Sequence, residues 1–307
     1  MPTKTLARCR ARTAGACAIG ALAALFAAGM TFAADAPRVP VVNAKPEAHL
    51  PGKFIWFDCV TEDAYASKAF YGALFGWDFH SIGDGANRYT LISSQGRNIG
   101  GLHFHPRGNA QARGSRWISL MSVADPALAA RYVEAHGGKV VVPPTPFAGR
   151  GTHALFRDDD GALFGVLKSD SGDPPDRPAA AGEFQWVDLF THDPAKAAEF
   201  YRGLAAFEVS VKGVAPELVR VVLGTGGVAR ASLIALPKDV ADSGWLPFVQ
   251  VDDVAAAVRK AAALGGTVLL APRADLLNGH VAVIADPHGG VLGVVNRAEA
   301  AKKGGAK

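Results

Sequence analysis

Trp56 and Asp58, and Trp186 and Asp188 130 positions further on, are the residues whose types and spacing could do chemistry in this chain. Residues two apart on a strand share a face, so each pair would present an indole beside a carboxylate. In a concave pocket the indole could stack on a planar ligand while the carboxylate hydrogen-bonds or deprotonates it. The alternative is a core Trp with an Asp held by backbone amides, because buried polar groups are normally satisfied internally. His103 and His105 alternate in the same way, and two imidazoles at that spacing could form half of a metal site, with His153 or Asp58 as third ligand; otherwise they are exposed or core histidines. Arg150, on the Gly-flanked loop F-A-G-R-G-T, could meet an anionic ligand or simply be solvated. Asp158-Asp159-Asp160-Gly161 lacks the spaced oxygens and terminal Glu of a calcium loop and reads as a hairpin turn. His280 and His288 flank a similar turn and fit surface roles. No Ser-His-Asp arrangement, phosphate-cradling loop or dinucleotide fingerprint is present.

The elements that must position these residues repeat. W-F-D-C-V-T-E-D at 56–63, followed by Phe70-Tyr71 and Leu74, matches W-V-D-L-F-T-H-D at 186–193, followed by Phe200-Tyr201 and Leu204. A repeat this long means duplicated domains rather than a solenoid. Within the first copy, 54–60 reads as a strand and the stretch after Asp63 as a helix with Ala66, Phe70 and Leu74 on its apolar face. Asp63 stands at the cap and Gly76 at the end. Three short strands follow, around 77–82, 88–93 and 99–105, separated by turn signals. The order then restarts with a strand at 116–123, a helix at 125–136, Gly137-Gly138, and strands at 139–142, 151–156 and 162–168. The second copy repeats the plan from 184 to 296. This divides the chain into domain 1 at 53–168, a Pro, Gly and Asp linker at 169–182, domain 2 at 183–297 and a tail at 298–307.

Residues 1–33 have a basic start, an apolar run from Ala14 to Met30 and small residues at Thr31 and Ala33, the layout of a secretory signal peptide cut after Ala33. An uncleaved anchor is the alternative. A Pro-rich spacer at 34–52 follows. The formal net charge of +4 arises from Lys4, Arg8, Arg10 and Arg12 in a segment without acidic residues; the remainder carries 28 basic and 28 acidic side chains. A neutral body gives no electrostatic case for nucleic acid or for stable membrane association after cleavage. The expected location is periplasmic or secreted, in a bacterium. Cys9 and Cys17 leave with the signal, so Cys59 has no internal partner and reads as a small hydrophobe packed against a helix.

Four strand–helix–three-strand units paired as two α+β domains resemble the vicinal oxygen chelate superfamily, which includes glyoxalase I, bleomycin-resistance proteins and extradiol dioxygenases. The residues that carry the resemblance are V-T-E-D with A-F-Y-G-A-L-F-G-W, F-T-H-D with A-E-F-Y-R-G-L, H-G-G-K-V, L-G-G-T-V, and the closing D-D-D-G-A-L-F-G-V-L and D-P-H-G-G-V-L-G-V-V. The resemblance covers nearly all of 53–297. It implies that two units form an incomplete barrel whose concave face holds a divalent metal on His, Gln or Glu from first and last strands. Here the first-strand position aligns with Trp56 and Trp186, and the closing-strand position with Gly101, Gly165 and Gly293. Neither an indole nor a glycine can coordinate a metal, so the usual site is absent and no cofactor is expected. Arg150 lies near the pocket mouth by the same analogy.

Three readings stay open: an exported, metal-independent protein that binds a small, partly apolar molecule in its cavities; a metal-dependent lyase or dioxygenase with a site relocated to His103 and His105; and a non-catalytic interaction module whose cavities have filled. Whether the chain is an enzyme, and whether its domains pair within one chain or across a homodimer, is left open by the sequence.

Overall fold

The computed structural model describes residues 39–42, 48–83, 89–105, 114–215, 218–237 and 239–297. The expected signal peptide and the tail lie outside these residues. Domain 1 runs β1 (Phe54–Thr61), α1 (Ala64–Phe75), β2 (Asp78–Ile82), β3 (Tyr89–Ser94), β4 (Arg97–Phe104), β5 (Arg116–Ser122), α2 (Pro126–Ala135), β6 (Lys139–Phe147), β7 (Gly151–Arg157) and β8 (Leu163–Ser169). Domain 2 runs β9 (Phe184–Thr191), α3 (Pro194–Ala205), β10 (Glu208–Ala215), β11 (Leu218–Thr225), β12 (Val228–Ala235), β13 (Gly244–Gln250), α4 (Val254–Ala263), β14 (Thr267–Leu270), β15 (Val281–Ala285) and β16 (Val291–Val295).

Each module helix starts at an aspartate, Asp63, Asp125, Asp193 or Asp253, whose carboxylate accepts from amides of the first turn. Each such cap is worth about 1 kcal/mol to the helix it opens. Gly76 closes α1 at φ 71, a conformation that suits a residue without a Cβ.

In each module the last strand returns parallel to the first: β4 beside β1, β8 beside β5, β12 beside β9 and β16 beside β13. The first strands of the two modules pair antiparallel, β1 with β5 and β9 with β13. Each domain is therefore one open, eight-stranded mixed sheet, in the order β2-β3-β4-β1-β5-β8-β7-β6 and its domain 2 equivalent. The modules of a domain pair within the chain.

Strand parity then decides which side chains meet which core. Phe57 and Cys59 point to the helices and join a core shared by both domains, where Phe57 stacks on Phe184 at 3.8 Å. Cys59 is fully buried there, and burial pushes its thiol well above the usual range. Trp56 and Val60 point the other way, into a separate cluster.

The helical layer is cross-linked between domains. The Tyr71 hydroxyl on α1 donates to Asp286 of the domain 2 closing turn at 2.9 Å, and the Tyr201 hydroxyl on α3 donates to Asp158 of the domain 1 turn at 2.8 Å. Trp117 and Trp245 each donate to the phenol of their own domain at 2.9 Å. The D-D-D-G stretch is a turn, as expected, but its first residue is buried in this network, and burial pushes the Asp158 carboxyl up to about 6. The stretches that composition marks as linker and spacer are also packed. Asp173 accepts from the Leu50 amide and the Ser122 hydroxyl, both at 2.5 Å.

Candidate functional site

The faces turned away from the helices carry both Trp-x-Asp pairs, as parity predicts. On β1 the Trp56 indole N–H donates to Asp58 Oδ1 at 3.0 Å, and on β9 Trp186 donates to Asp188 Oδ1 at 2.8 Å. Both carboxylates are buried. They are held by side chains and not by backbone amides: a strand face offers no spare N–H, because the amides are committed to the sheet.

In domain 1 the neighbours are Tyr89, whose hydroxyl donates to Asp58 Oδ1 at 2.9 Å, and His103, whose Nε2 lies 3.5 Å from Asp58 Oδ2. Arg150 lies with its guanidinium 3.5 Å from the centre of the Trp56 ring. Burial alone would raise the Asp58 carboxyl, but His103, Arg150 and Tyr89 together hold it well below the usual carboxylate range. A carboxylate so stabilised is a poor general base.

This site is covered. Val41, 3% exposed, packs in one cluster with Trp56, Tyr89, Leu91, Ile118 and Leu167, and Trp56 is 0% exposed. The cover is tied down by its backbone: Arg150 Nε donates to the Val39 carbonyl at 2.7 Å, Asn98 to the Pro40 carbonyl at 3.0 Å, and the Val42 amide to Ser171 Oγ at 3.0 Å.

Domain 2 has no such cover among the described residues. A cavity of about 250 Å³ is lined by Trp186, Asp188, Arg220, Ser232, Phe248 and Arg297, with Lys212, Leu277 and aliphatic residues around them. Ser232 donates to Asp188 Oδ1 at 2.5 Å, and Arg220 lies 3.3 Å from Asp188 Oδ2. The Arg297 guanidinium sits 4.0 Å from the centre of the Trp186 ring. Burial pulls Arg297 below its ordinary value, opposed by Asp188 and reinforced by the charge of Arg220. At the rim, Leu277 and Asn278 hold positive φ angles of 46° and 53°, unusual for a residue as bulky as leucine.

A model of the Glyoxalase/Bleomycin resistance protein/Dioxygenase superfamily matches residues 53–166, and a glyoxalase-like domain model matches 186–295. The chain belongs to this superfamily. Among curated relatives it is 32% identical to the anthracycline biosynthesis protein DnrV of Streptomyces peucetius, over 83% of this chain and 98% of that one. It is 31% identical to DauV of Streptomyces sp. strain C5, over 81% and 95%. The Mn(II)-bound glyoxalase of Novosphingobium aromaticivorans superposes with a TM-score of 0.55 at 20% identity, covering 80% of this chain and 82% of that one, a likeness of fold.

The superfamily's metal positions can be tested against this packing. A Cβ at Gly101 would overlap the Tyr89 hydroxyl, one at Gly165 would come within 2.6 Å of Leu120 Cγ, and one at Gly293 would overlap the Phe248 ring. Neighbouring side chains have taken the volume a ligand would need. The residues present therefore do not fit a metal at those positions. His103 is engaged with Asp58, the His105 amide bonds to Thr61 beyond the end of β4, and His153 packs its ring on Phe147 at 4.1 Å. Among the described residues no three His, Cys, Asp or Glu side chains form a group able to hold a metal.

The structure brings Trp56 and Asp58 together at one site and Trp186 and Asp188 at another, and it places Arg150, expected at a pocket mouth or solvated on its loop, buried over the Trp56 ring because its guanidinium is taken up by the indole and the Val39 carbonyl. Sequence reasoning missed Tyr89, Arg220, Ser232, Arg297 and Val41. For Ser232 a signal existed, since it stands in register with Asp188 as Gly101 does with Asp58, but register requires the sheet. For Val41 the signal was the apolar run V-P-V-V inside a Pro-rich stretch.

Proposed function

We propose that this superfamily member is an exported, metal-independent small-molecule binder whose working site is the domain 2 cavity. The observation that carries the reading is the open space against Trp186 and Arg220, where the equivalent space in domain 1 is filled by Val41. A volume of about 250 Å³ lies just below the range of about 300–1,000 Å³ common for ligand pockets, which suits a small molecule. It is walled by apolar groups with a few convergent polar ones, as such pockets usually are. Asp188, engaged by Trp186, Ser232 and Arg220, orients these donors and is not placed to take a proton. Export is supported by the charge asymmetry, apolar run and small residues of 1–33.

Calorimetric titration of a fragment library in the presence of a chelator tests the binding. Hits should bind one per chain, be indifferent to chelation and be lost in Trp186→Ala. Affinity that vanishes on chelation and returns with Mn²⁺ would sink metal independence. The N-terminal residue of protein recovered outside the cytoplasm should be Ala34, and recovery only of full-length chain within the cytoplasm would refute export.

A further inference from the structure

Domain 1 carries its own occupant, and the way that occupant is held indicates what domain 2 would hold. In domain 1 an arginine lies over the Trp-x-Asp indole, and the segment 39–42 delivers to it one carbonyl oxygen, from Val39, and one apolar side chain, Val41. Domain 2 rebuilds the same arrangement from different chain positions. Arg297, following β16, lies over Trp186 as Arg150, preceding β7, lies over Trp56. Among the described residues, however, no oxygen accepts from the Arg297 guanidinium. The buried Nε of Arg220 likewise has no acceptor. The apolar wall that receives Val41 in domain 1 has its counterpart in Phe248, Val281, Val295 and Leu277.

The charge balance points the same way. Lys212, Arg220 and Arg297 line the cavity against the single carboxylate of Asp188, and that carboxylate is already shared by Trp186, Ser232 and Arg220. Two guanidinium groups near one another, Arg297 with no acceptor among the described residues and Arg220 with its Nε unpaired, favour an incoming anion, and planar donors match a carboxylate in particular.

We infer that the domain 2 cavity takes a small organic carboxylate on a compact aryl or branched apolar body, its oxygens on Arg220 and Arg297 and its body against Phe248 and Leu277. The inference rests on the reading that this cavity binds a small molecule, and it names the class of that molecule.

Three probes of one shape and three charges test it: benzoate, benzamide and benzamidinium, titrated calorimetrically into the whole chain. Benzoate should bind at least about tenfold more tightly than benzamide, because the charge-assisted bonds exist only for the anion, and benzamidinium should not bind. Arg297→Gln and Arg220→Gln should each weaken benzoate more than benzamide, so that the preference for the anion falls below about threefold. Arg297, at a strand end, gives the cleaner variant should Arg220→Gln destabilise the sheet, and a thermal melt of each identifies a folding defect. Equal or tighter binding of benzamide overturns the carboxylate inference while leaving small-molecule binding in place. Failure of benzoate at millimolar concentration also overturns it, and if benzamide fails as well, the binding reading falls with it. A benzoate preference that survives both arginine variants places the anion elsewhere and overturns the assignment to these residues.

Discussion

In domain 1 the Trp-x-Asp pair is roofed by the chain's own residues 39–42, whereas in domain 2 the same pair faces a cavity. The first strands are near copies, so the difference comes from their neighbours. Gly101, paired with Asp58, leaves its volume to the Tyr89 hydroxyl, while Ser232, paired with Asp188, fills that place with its own hydroxyl. Tyr89 stands opposite His103 and Arg220 opposite Ile234, two equivalent register positions. An aromatic ring at that position builds a wall, and an arginine there builds a cationic lining. A duplicated strand therefore supplies a platform, and what the adjacent meander lays on it decides whether the domain is a core or a receptor.

The sharpest way to break this contrast is to remove each indole. Trp56→Ala, at a fully buried site, should cost about 3–5 kcal/mol in denaturant unfolding, whereas Trp186→Ala, at a partly exposed one, should cost about 1–2 kcal/mol and abolish ligand binding. Equal costs would show the two cavities to be equally closed. Next in size, Val41→Asp should release the roof at a cost of about 2 kcal/mol, the burial of one valine, and leave the benzoate stoichiometry at one per chain, since domain 1 has Tyr89 where domain 2 has Arg220. A stoichiometry of two would show that the platform alone, without the second arginine, makes a receptor. The smallest effect is confined to acid. The Asp58 carboxyl is depressed in the folded chain below its ordinary value of 3.8, so its contribution is present above that value and is lost as pH falls below it. The stability difference between wild type and Asp58→Asn should be constant from neutral pH to about pH 5 and begin to narrow below about pH 4; a difference unchanged down to about pH 3 would show that Asp58 is not held as an anion.

The fold was legible because its signals are local and repeated. An aspartate before each helix, a glycine or glycine pair after most of them, and the two closing D-x-x-G turns mark every module by chemistry within a few residues. The platform was legible for the same reason, since parity along one strand puts Trp56 with Asp58 and Trp186 with Asp188. What lies across strands was not. Ser232 is 44 residues from Asp188 and Arg220 is 32, and their convergence depends on hairpin registers shifted by irregularities, such as the one between Leu223 and Gly224. Val41 was hidden for another reason: a single buried valine in a Pro-rich segment has no periodicity to betray it, and its role is fixed by Arg150 and Asn98 far along the chain. The metal expectation turned on the same residues. Alignment showed that ligands were missing, and only the packing around Gly101, Gly165 and Gly293 showed that their volume had been reused.

The exchanged Tyr–Asp bonds between the domains bear on when the chain can fold. Tyr71 finds its carboxylate 215 positions later, at Asp286, and Asp158 of the domain 1 turn waits for Tyr201. During synthesis, domain 1 lacks these partners until about 120 further residues have emerged, roughly 10 s at ordinary elongation rates. Contacts of such sequence separation also form slowly. Late closure therefore means that the two domains lock together only once both halves of the chain are present, so that neither domain is fully fastened until the other has been made.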